Sequence, residues 1–181
     1  MDSAGAHFFF NLVVALGKRM KYGCEPATQR YLAASILSLC DKNTLPKLEN
    51  HMLLHKLVEI VARLPSFASK ADGFALNCII SSLWCLAKSP VCCRILSETT
   101  ITPSLMKIMI ELNAREVSSL TTEDKNTRKR IVGLFFLMTS TNTKARHAIL
   151  AEDYGHEVIT WLEDSDYHVV TWTCAMFWDA F

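Results

Sequence analysis

The chain contains few glycines, and this argues against a glycine-rich loop that binds phosphate. The 181 residues include six glycines, none in a GxGxxG or GK[ST] pattern. Loops that cradle phosphates need glycine because the backbone must approach the ligand closely. Nor does any local signature, such as a strand–turn–helix elbow, bring together a nucleophile, a base and an orienting group. We therefore expect a protein that is not an enzyme and has no cofactor.

The chain also lacks a long apolar run and an excess of charge of either sign. The apolar run at residues 6–16 is too short to cross a bilayer, which takes about 20 residues, and Asp2 rather than a basic residue precedes it. It fits a buried first helix better than a signal peptide. A net charge of +1 gives no field that would attract nucleic acid or an anionic membrane. We expect neither partner, and a cytoplasmic location.

Paired CxxC spacing is absent although the chain has seven cysteines. An odd number without a framework indicates a reducing compartment, where cysteines serve as small buried apolar residues. Cys92 and Cys93 are neighbours at a helix start, and they point about 100° apart on a helix. Our interpretation is one buried and one half-exposed cysteine. A thiol of lowered pKa near the helix N-terminus is the alternative.

Alternating β-branched residues with hairpin turns are nearly absent, whereas helix signals are frequent. Prolines stand just inside the start of several apolar-periodic segments, where proline loses no hydrogen bond, and Ser or Thr precedes three of them as a candidate N-cap. These prolines and caps are Pro26, Pro46, Pro90, Pro103, Thr44, Ser89 and Thr102. The periodicity predicts helices at 4–21, 26–41, 45–51, 52–64, 72–88, 90–98, 103–114, 123–140, 142–152, 155–163 and 166–180.

The predicted helices recur in threes, as a short, a middle and a long helix. Periods of about 40–47 residues with three helices are typical of armadillo repeats, and each triplet seals its apolar face only against the next. The predicted fold class is all-α, an α-solenoid of three to four armadillo-like three-helix repeats in a single domain, 1–181. It has a partial repeat at 1–41 and repeats at 45–88, 90–140 and 142–181. An ordinary helical bundle with chance periodicity is the alternative.

Several segments resemble armadillo repeats directly. Residues 155–166 resemble a middle helix with its following turn, and residues 81–87, 133–139 and 167–181 resemble third helices. The run from Leu53 to Leu137 further resembles the C-terminal repeats of the rotatin and anastral-spindle family, whose members are long chains of such repeats linked to centrioles and basal bodies. This resemblance implies a fragment of a longer cytoskeletal protein at the centrosome, centriole or ciliary basal body. It also implies that the fragment binds another centriolar protein, as a helix or peptide.

One departure from the armadillo pattern narrows the expected ligand. Armadillo proteins that hold extended nuclear-import peptides carry asparagines on their third helices, with tryptophans one turn away. The matching positions here are Cys85 and Phe136. The resemblance therefore implies a helical or mixed ligand rather than an import peptide.

We expect the third helices to line a concave groove and their polar and aromatic residues to contact the partner. Trp and Arg most often dominate interface energy. An apolar helix face of the partner would be buried in the groove while charges at the rim set its register. The predicted contact residues are Asn77, Ser81, Trp84, Lys88, Arg128, Phe135, Thr139 and Trp172.

Large apolar residues crowd the last predicted helix, namely Trp172, Met176, Phe177, Trp178 and Phe181. End repeats of a solenoid need a polar outer face, so three interpretations stay open. The natural chain continues further, the end is a partner or homodimer surface, or the side chains pack inward. The second interpretation leads to an alternative function, a structural or self-associating segment of a long helical rod without a groove ligand.

Two polar clusters also have alternatives. His51, His55 and Glu59 lie at one-turn spacing that suits zinc, although we favour a solvated helix face and predict no metal. A basic cluster at the start of a long helix is formed by Lys125, Arg128, Lys129 and Arg130. It suits an acidic partner or phosphates, and a solvated helix entry is the favoured interpretation.

Overall fold

The computed structural model describes residues 3–22, 25–40, 58, 62, 73–150 and 152–178. Of these residues 89 % are helical and none forms a strand, which confirms the all-α fold class. The predicted helices at 45–51 and 52–64 lie outside the described residues, except for Val58 and Ala62. Both of these are helical and buried.

The helices within the described ranges follow the predicted order. Their bounds are α1 Ser3–Tyr22, α2 Pro26–Cys40, α3 Gly73–Ala87, α4 Pro90–Ser97, α5 Ile101–Asn113, α6 Thr122–Thr141, α7 Thr143–Leu150, α8 Glu152–Thr160 and α9 Tyr167–Trp178, with short 3-10 turns at Val117–Ser119 and Trp161–Glu163. One helix, α8, departs from prediction by more than two residues, namely by three at each end. α8 begins three residues early and gives way to a 3-10 turn at Trp161. α5 begins at Ile101, so Pro103 lies within the first turn, where backbone N–H groups have no partner inside the helix.

Side-chain caps define several of the described helix starts, including those of α4 and α6. The Ser89 hydroxyl accepts from the Cys92 N–H (3.4 Å) ahead of Pro90, as predicted for α4. Thr121 and Asp124 form a reciprocal capping box at α6, in which each side chain accepts from the other residue's backbone N–H at 3.1 Å. Such a box satisfies two donors that the first helical turn would otherwise leave unpaired.

The helices at the predicted long positions, α2, α3, α6 and α9, pack one after another in chain order. With 12 residues, however, α9 is shorter than α5 with 13. α2 packs on α3, α3 on α6, and α6 on α9. The remaining helices pack around this row: α4 packs on α3 and α6, α5 packs on α6 and α7, and α7 packs on α6 and α8. One continuous apolar core results, and it extends from Val13 in α1 to Met176 in α9.

Helix α3 is the most thoroughly buried element of this row. Nine of its fifteen residues are buried, because α2 and α6 cover it from two sides. This agrees with its sequence, which is apolar nearly all round and therefore needs neighbours on more than one face. Among the described helices, none is by itself long and apolar enough to cross a membrane. α3 and α4 meet the length and composition criteria only as a pair, bent by 118°.

Candidate functional site

The two tryptophans predicted to contact a partner meet above helix α6. Trp84 comes from α3 and Trp172 from α9, and their rings lie 5.4 Å apart at an angle of 44°. They pass over Gly133, where a Cβ atom would lie 2.4 Å from Trp84 Cζ3 and 3.0 Å from Trp172 Cζ3. The missing side chain of this glycine thus lets two long helices that flank α6 join their aromatic rings across it.

Three further side chains extend this contact into a row. The Lys88 ammonium lies 5.7 Å from the centre of the Trp84 ring, a distance typical of cation–π attraction. On the other side, the ring of His168 lies 5.5 Å from Trp172, and that of Tyr167 lies 5.9 Å from His168. We call these five residues, Lys88, Trp84, Trp172, His168 and Tyr167, the aromatic row. Its tryptophans are half-buried, while its outer members are exposed.

The sequence reasoning included Trp84, Lys88 and Trp172 but missed His168 and Tyr167. His168 precedes Trp172 by one helical turn, and residues at that spacing lie on the same helix face. This spacing was the signal available in the sequence. The row matters because aromatic residues at the surface are enriched at protein–protein interfaces.

Three predicted contact residues instead belong to the core, so that part of the prediction is wrong. Phe135 is 0 % exposed and stacks on Trp161, with ring centres 5.9 Å apart and planes 4° from parallel. Thr139 is also fully buried, and its hydroxyl donates to the Phe136 carbonyl. Ser81 is buried, and its hydroxyl donates to the Asn77 carbonyl. In this conformation none of the three side chains presents a surface to a partner.

The other two predicted contact residues, Asn77 and Arg128, bond to neighbouring helices. The Asn77 side-chain oxygen accepts from Arg130 (2.5 Å) and from the Thr127 hydroxyl (3.4 Å), which links α3 to α6. Arg128 donates to Asp164 at 2.5 Å, and the two side chains are 20 % and 6 % exposed. An ion pair this shielded holds the start of α6 against the turn before α9.

The basic cluster at the start of α6 is therefore not the solvated helix entry that we favoured. Arg128 and Arg130 bond to Asp164 and Asn77, and Lys129 pairs with Asp166 at 3.3 Å. Lys125, the remaining member of the cluster, is exposed. Burial acts to raise the pKa of Asp166, but the His168 N–H, the Lys129 ammonium and the Val169 N–H together hold that pKa below its usual value. The cluster contributes its charge mainly to contacts inside the chain.

A polar cavity of about 460 Å³ lies next to the Arg128–Asp164 ion pair. Asn113 at the end of α5, Arg128 in α6 and Trp161 in the turn after α8 all line it. Each of these three residues has one buried side-chain polar atom without a hydrogen-bond partner in the described part of the chain. Because such an atom costs about 1–3 kcal/mol, three of them around one cavity call for an explanation. Sequence reasoning missed this site, since nothing local marks it.

The cysteine pair at the start of α4 is buried at both positions, so the expected half-exposed cysteine is not found. Cys93 Sγ lies 3.1 Å from the Thr141 hydroxyl. Burial raises the pKa of the Cys93 thiol, although this hydrogen bond opposes the shift. Burial likewise raises the pKa of Cys40 to about 12. These directions oppose the alternative of a reactive thiolate.

The crowded last helix divides between inward packing and exposure. Met176 is fully buried, and Trp172 and Phe177 pack against the core from half-buried positions. Trp178, in contrast, is 84 % exposed, and Phe181 lies outside the described residues. Inward packing therefore accounts for part of this segment only.

The zinc candidates His51, His55 and Glu59 lie outside the described residues, so this alternative keeps its status as a prediction. Within the described ranges, no group of three or more His, Cys, Asp or Glu side chains is arranged to hold a metal ion.

Comparisons with known proteins add no relationship to this picture. No family model matches the chain, and no curated protein and no solved structure matches it either.

Proposed function

We propose that this protein is a non-enzymatic scaffold that binds a partner protein, as a helix or peptide, on the aromatic row. The single observation that carries the proposal is the contact of Trp84 and Trp172 above Gly133, with Lys88 and His168 beside them. Half-buried tryptophans are held rigidly and still offer apolar area, which is the character of residues that dominate interfaces. Lys88 and His168 would supply polar contacts at the rim.

The packing order of the long helices supports the stacked-repeat form of this proposal. In an armadillo-like solenoid each third helix packs on the third helix of the next repeat, and α2, α3, α6 and α9 follow that order. Several hydrogen bonds between side chains of separate elements join residues 36 to 53 positions apart. That range brackets one repeat of about 40–47 residues.

The cellular setting that we propose, at centrioles or basal bodies, rests on the sequence resemblance to the rotatin and anastral-spindle family alone. A centriolar protein is accordingly the proposed partner, within a cytoplasmic setting. The aromatic rings of the row suit a partner helix with one apolar face. Acidic residues beside that face would suit Lys88, which lies at one end of the row.

A second candidate function is self-association through the C-terminal region. Its specific support is a group of exposed apolar side chains there, with exposed fractions of 53 % for Ile159, 38 % for Leu162, 76 % for Tyr167 and 84 % for Trp178. Exposed apolar area of this kind is typical of an interface. Light scattering over a concentration series tests it. A dimer that Trp178→Ser converts to a monomer supports self-association, and a monomer at every concentration contradicts it.

The test of the main proposal is a quantitative pull-down from cell extract with matched tryptophan variants. Trp84→Ala combined with Trp172→Ala removes the centre of the aromatic row, whereas Trp178→Ala removes an exposed tryptophan outside it. Circular dichroism first confirms that each variant is folded. We expect specific partners to be lost from the double variant and retained by Trp178→Ala. Retention of the same partners by the folded double variant contradicts the proposal.

A further inference from the structure

The polar cavity beside the Arg128–Asp164 ion pair has walls of defined hydrogen-bonding character. The two unpartnered donors are Arg128 Nε and Trp161 Nε1, and the unpartnered acceptor is Asn113 Oδ1, among the residues that the structure describes. Trp161 is 1 % exposed, and its ring is fixed by the stack with Phe135. The indole N–H therefore has a set position within a residue that lines the cavity, just beneath the cavity surface.

The orientation of the Asn113 amide is fixed by its neighbour. Asn113 Nδ2 donates to Glu157 Oε1 at 2.5 Å. A carboxylate only accepts hydrogen bonds, so the NH2 group must face Glu157 and the oxygen must face the other way. The wall therefore offers an acceptor at Asn113 and not a third donor.

The charges around the cavity are already balanced, which argues against an anionic ligand. Arg128 pairs with Asp164 at 2.5 Å, and Arg115 pairs with Asp124 at 3.3 Å. The remaining charged side chain in the wall is that of Glu163, which is exposed. An anion would thus find both guanidinium groups neutralised and a carboxylate nearby, and it would be repelled.

We propose that this cavity binds a primary carboxamide, the side chain of a glutamine or asparagine in a polypeptide segment. The carbonyl oxygen of a carboxamide has two lone pairs, which match the N–H groups of Arg128 and Trp161. Its NH2 group has two hydrogens, which match Asn113 Oδ1 and the Glu163 carboxylate. The cavity volume of about 460 Å³ is in the range of ligand sites, about 300–1,000 Å³. None of these residues belongs to the aromatic row, so the inference is independent of the proposed function.

Binding would satisfy atoms that are costly to leave buried without a partner. The three atoms are shielded from solvent, so a ligand reaches them only with a small rotation of the Arg128 or Asn113 side chain. Both of these side chains are half-buried, and the rotation keeps the contacts of Arg128 with Asp164 and of Asn113 with Glu157. The expected adjustment is therefore local.

The indole N–H of Trp161 provides a direct probe of this site. The chain has four tryptophans, so a 15N-labelled sample gives four indole signals, and Trp161→Phe identifies one while keeping an aromatic ring against Phe135. The probes are N-acetyl-glutamine methylamide, its glutamate analogue and its norleucine analogue. We expect a saturable shift of the Trp161 signal with the glutamine probe at concentrations on the order of 10 mM. The glutamate and norleucine analogues should bind at least about tenfold more weakly than the glutamine probe.

Variants test whether the N–H donors of Trp161 and Arg128 are responsible for binding the glutamine probe. Trp161→Phe and Arg128→Lys each remove one donor and should weaken binding of the glutamine probe about tenfold, read from the side-chain amide signal of Asn113. Tyr31→Phe, at an exposed aromatic residue of α2, is the control and should leave binding unchanged. Arg128→Lys serves as the second variant if Trp161→Phe does not fold. The proposal is overturned if no saturable shift occurs, if all three probes shift the signal equally, or if a folded donor variant binds as wild type does.

A capped pentapeptide with a central glutamine tests the source of the carboxamide. Tighter binding of the pentapeptide than of the single capped residue supports a polypeptide ligand. Equal binding of the two supports the carboxamide site but contradicts the polypeptide source, and it assigns the site to small amides instead.

Discussion

Two aromatic pairs lie at helix α6 and differ chiefly in their exposure to solvent. Phe135 and Trp161 stack in parallel, and both are completely or almost completely buried. Trp84 and Trp172 meet at a tilt above Gly133, and both are half-buried. From the sequence, Phe135 and Trp172 looked alike, as aromatic residues of third helices. Their surroundings separate them, because one pair belongs to the core and the other lies half-buried at the surface.

The comparison teaches that an aromatic residue on a predicted third helix is not by itself evidence of a binding groove. An aromatic residue that stacks on a neighbouring element within the core contributes to stability. One whose ring passes over a glycine on the intervening helix stays near the surface and remains available. Variants of the two pairs should therefore separate stability from binding.

The largest expected effect comes from breaking the buried pair. Phe135→Ala removes a fully buried ring that stacks on Trp161, and such truncations cost about 3–5 kcal/mol of the free energy of unfolding. Phe136→Ala is the matched control, since its neighbouring ring is half-buried and should cost clearly less. Urea unfolding measures both values. Equal losses at the two positions would show that the buried stack has no special weight.

Breaking the half-buried pair should affect stability less and binding more. Trp84→Ala loses part of a buried surface and one aromatic contact, about 1–2 kcal/mol in the free energy of unfolding. Affinity for a captured partner should fall about tenfold or more, as at interface tryptophans. Trp178→Ala should change stability by less than about 0.5 kcal/mol and leave affinity unchanged. A Trp84→Ala protein that loses as much stability as Phe135→Ala while keeping full affinity would reverse the comparison.

Gly133→Ala sharpens the comparison without removing any ring. Alanine would gain about 1 kcal/mol in helix propensity, but its Cβ would lie 2.4 Å from Trp84 Cζ3 and 2.7 Å from Trp84 Cη2. Overpacking of this kind costs about 1–3 kcal/mol, so we expect a net loss of about 1 kcal/mol. The near-ultraviolet circular dichroism of the tryptophan pair should weaken as well. Stabilisation with an unchanged spectrum would mean that the rings do not meet over this glycine.

The smallest expected effect concerns the charge that fixes the start of α9, next to Tyr167 and His168 of the aromatic row. Asp166→Asn keeps a side-chain acceptor for the His168 N–H (2.8 Å) but loses the ion pair with Lys129. Because the folded pKa of Asp166 lies below its unfolded value, its charge contributes stability above the unfolded pKa of about 3.9. This contribution disappears as the pH falls through the folded pKa. Urea unfolding at pH 7 and pH 3 should show a small difference from wild type that shrinks at the lower pH. A difference that grows on acidification would contradict this assignment.

Local signals in the sequence predicted where the described helices begin and end, but not which face of each helix is buried. Ser89 ahead of Pro90 marked the start of α4, and the acidic residues after Thr121 agreed with the start of α6, because caps act within one turn. The side of α6 that is buried depends on contacts with Trp161 and Trp84, which come from other helices far along the chain. Likewise, the pairing of Arg128 with Asp164 joins residues 36 positions apart in the sequence, so the sequence alone suggested a solvated cluster.

The polar cavity could not be predicted for the same reason. Asn113, Arg128 and Trp161 are ordinary residues in their own segments, and their unpaired atoms come together only when α5, α6 and the turn after α8 meet. The aromatic row was partly predictable, because Trp84 and Trp172 occupy corresponding helices and His168 lies one turn from Trp172.

Tryptophan footprinting tests most directly whether the half-buried pair is the binding surface and the buried pair is not. The protein is oxidised briefly, with and without its captured partner, and modification of each tryptophan is measured by mass spectrometry. We predict that the free protein reacts fastest at Trp178, more slowly at Trp84 and Trp172, and least at Trp161, and that the partner protects Trp84 and Trp172 while Trp178 is unchanged. Rapid oxidation of Trp161 in the free protein, or a partner that leaves Trp84 and Trp172 fully reactive, would contradict the account.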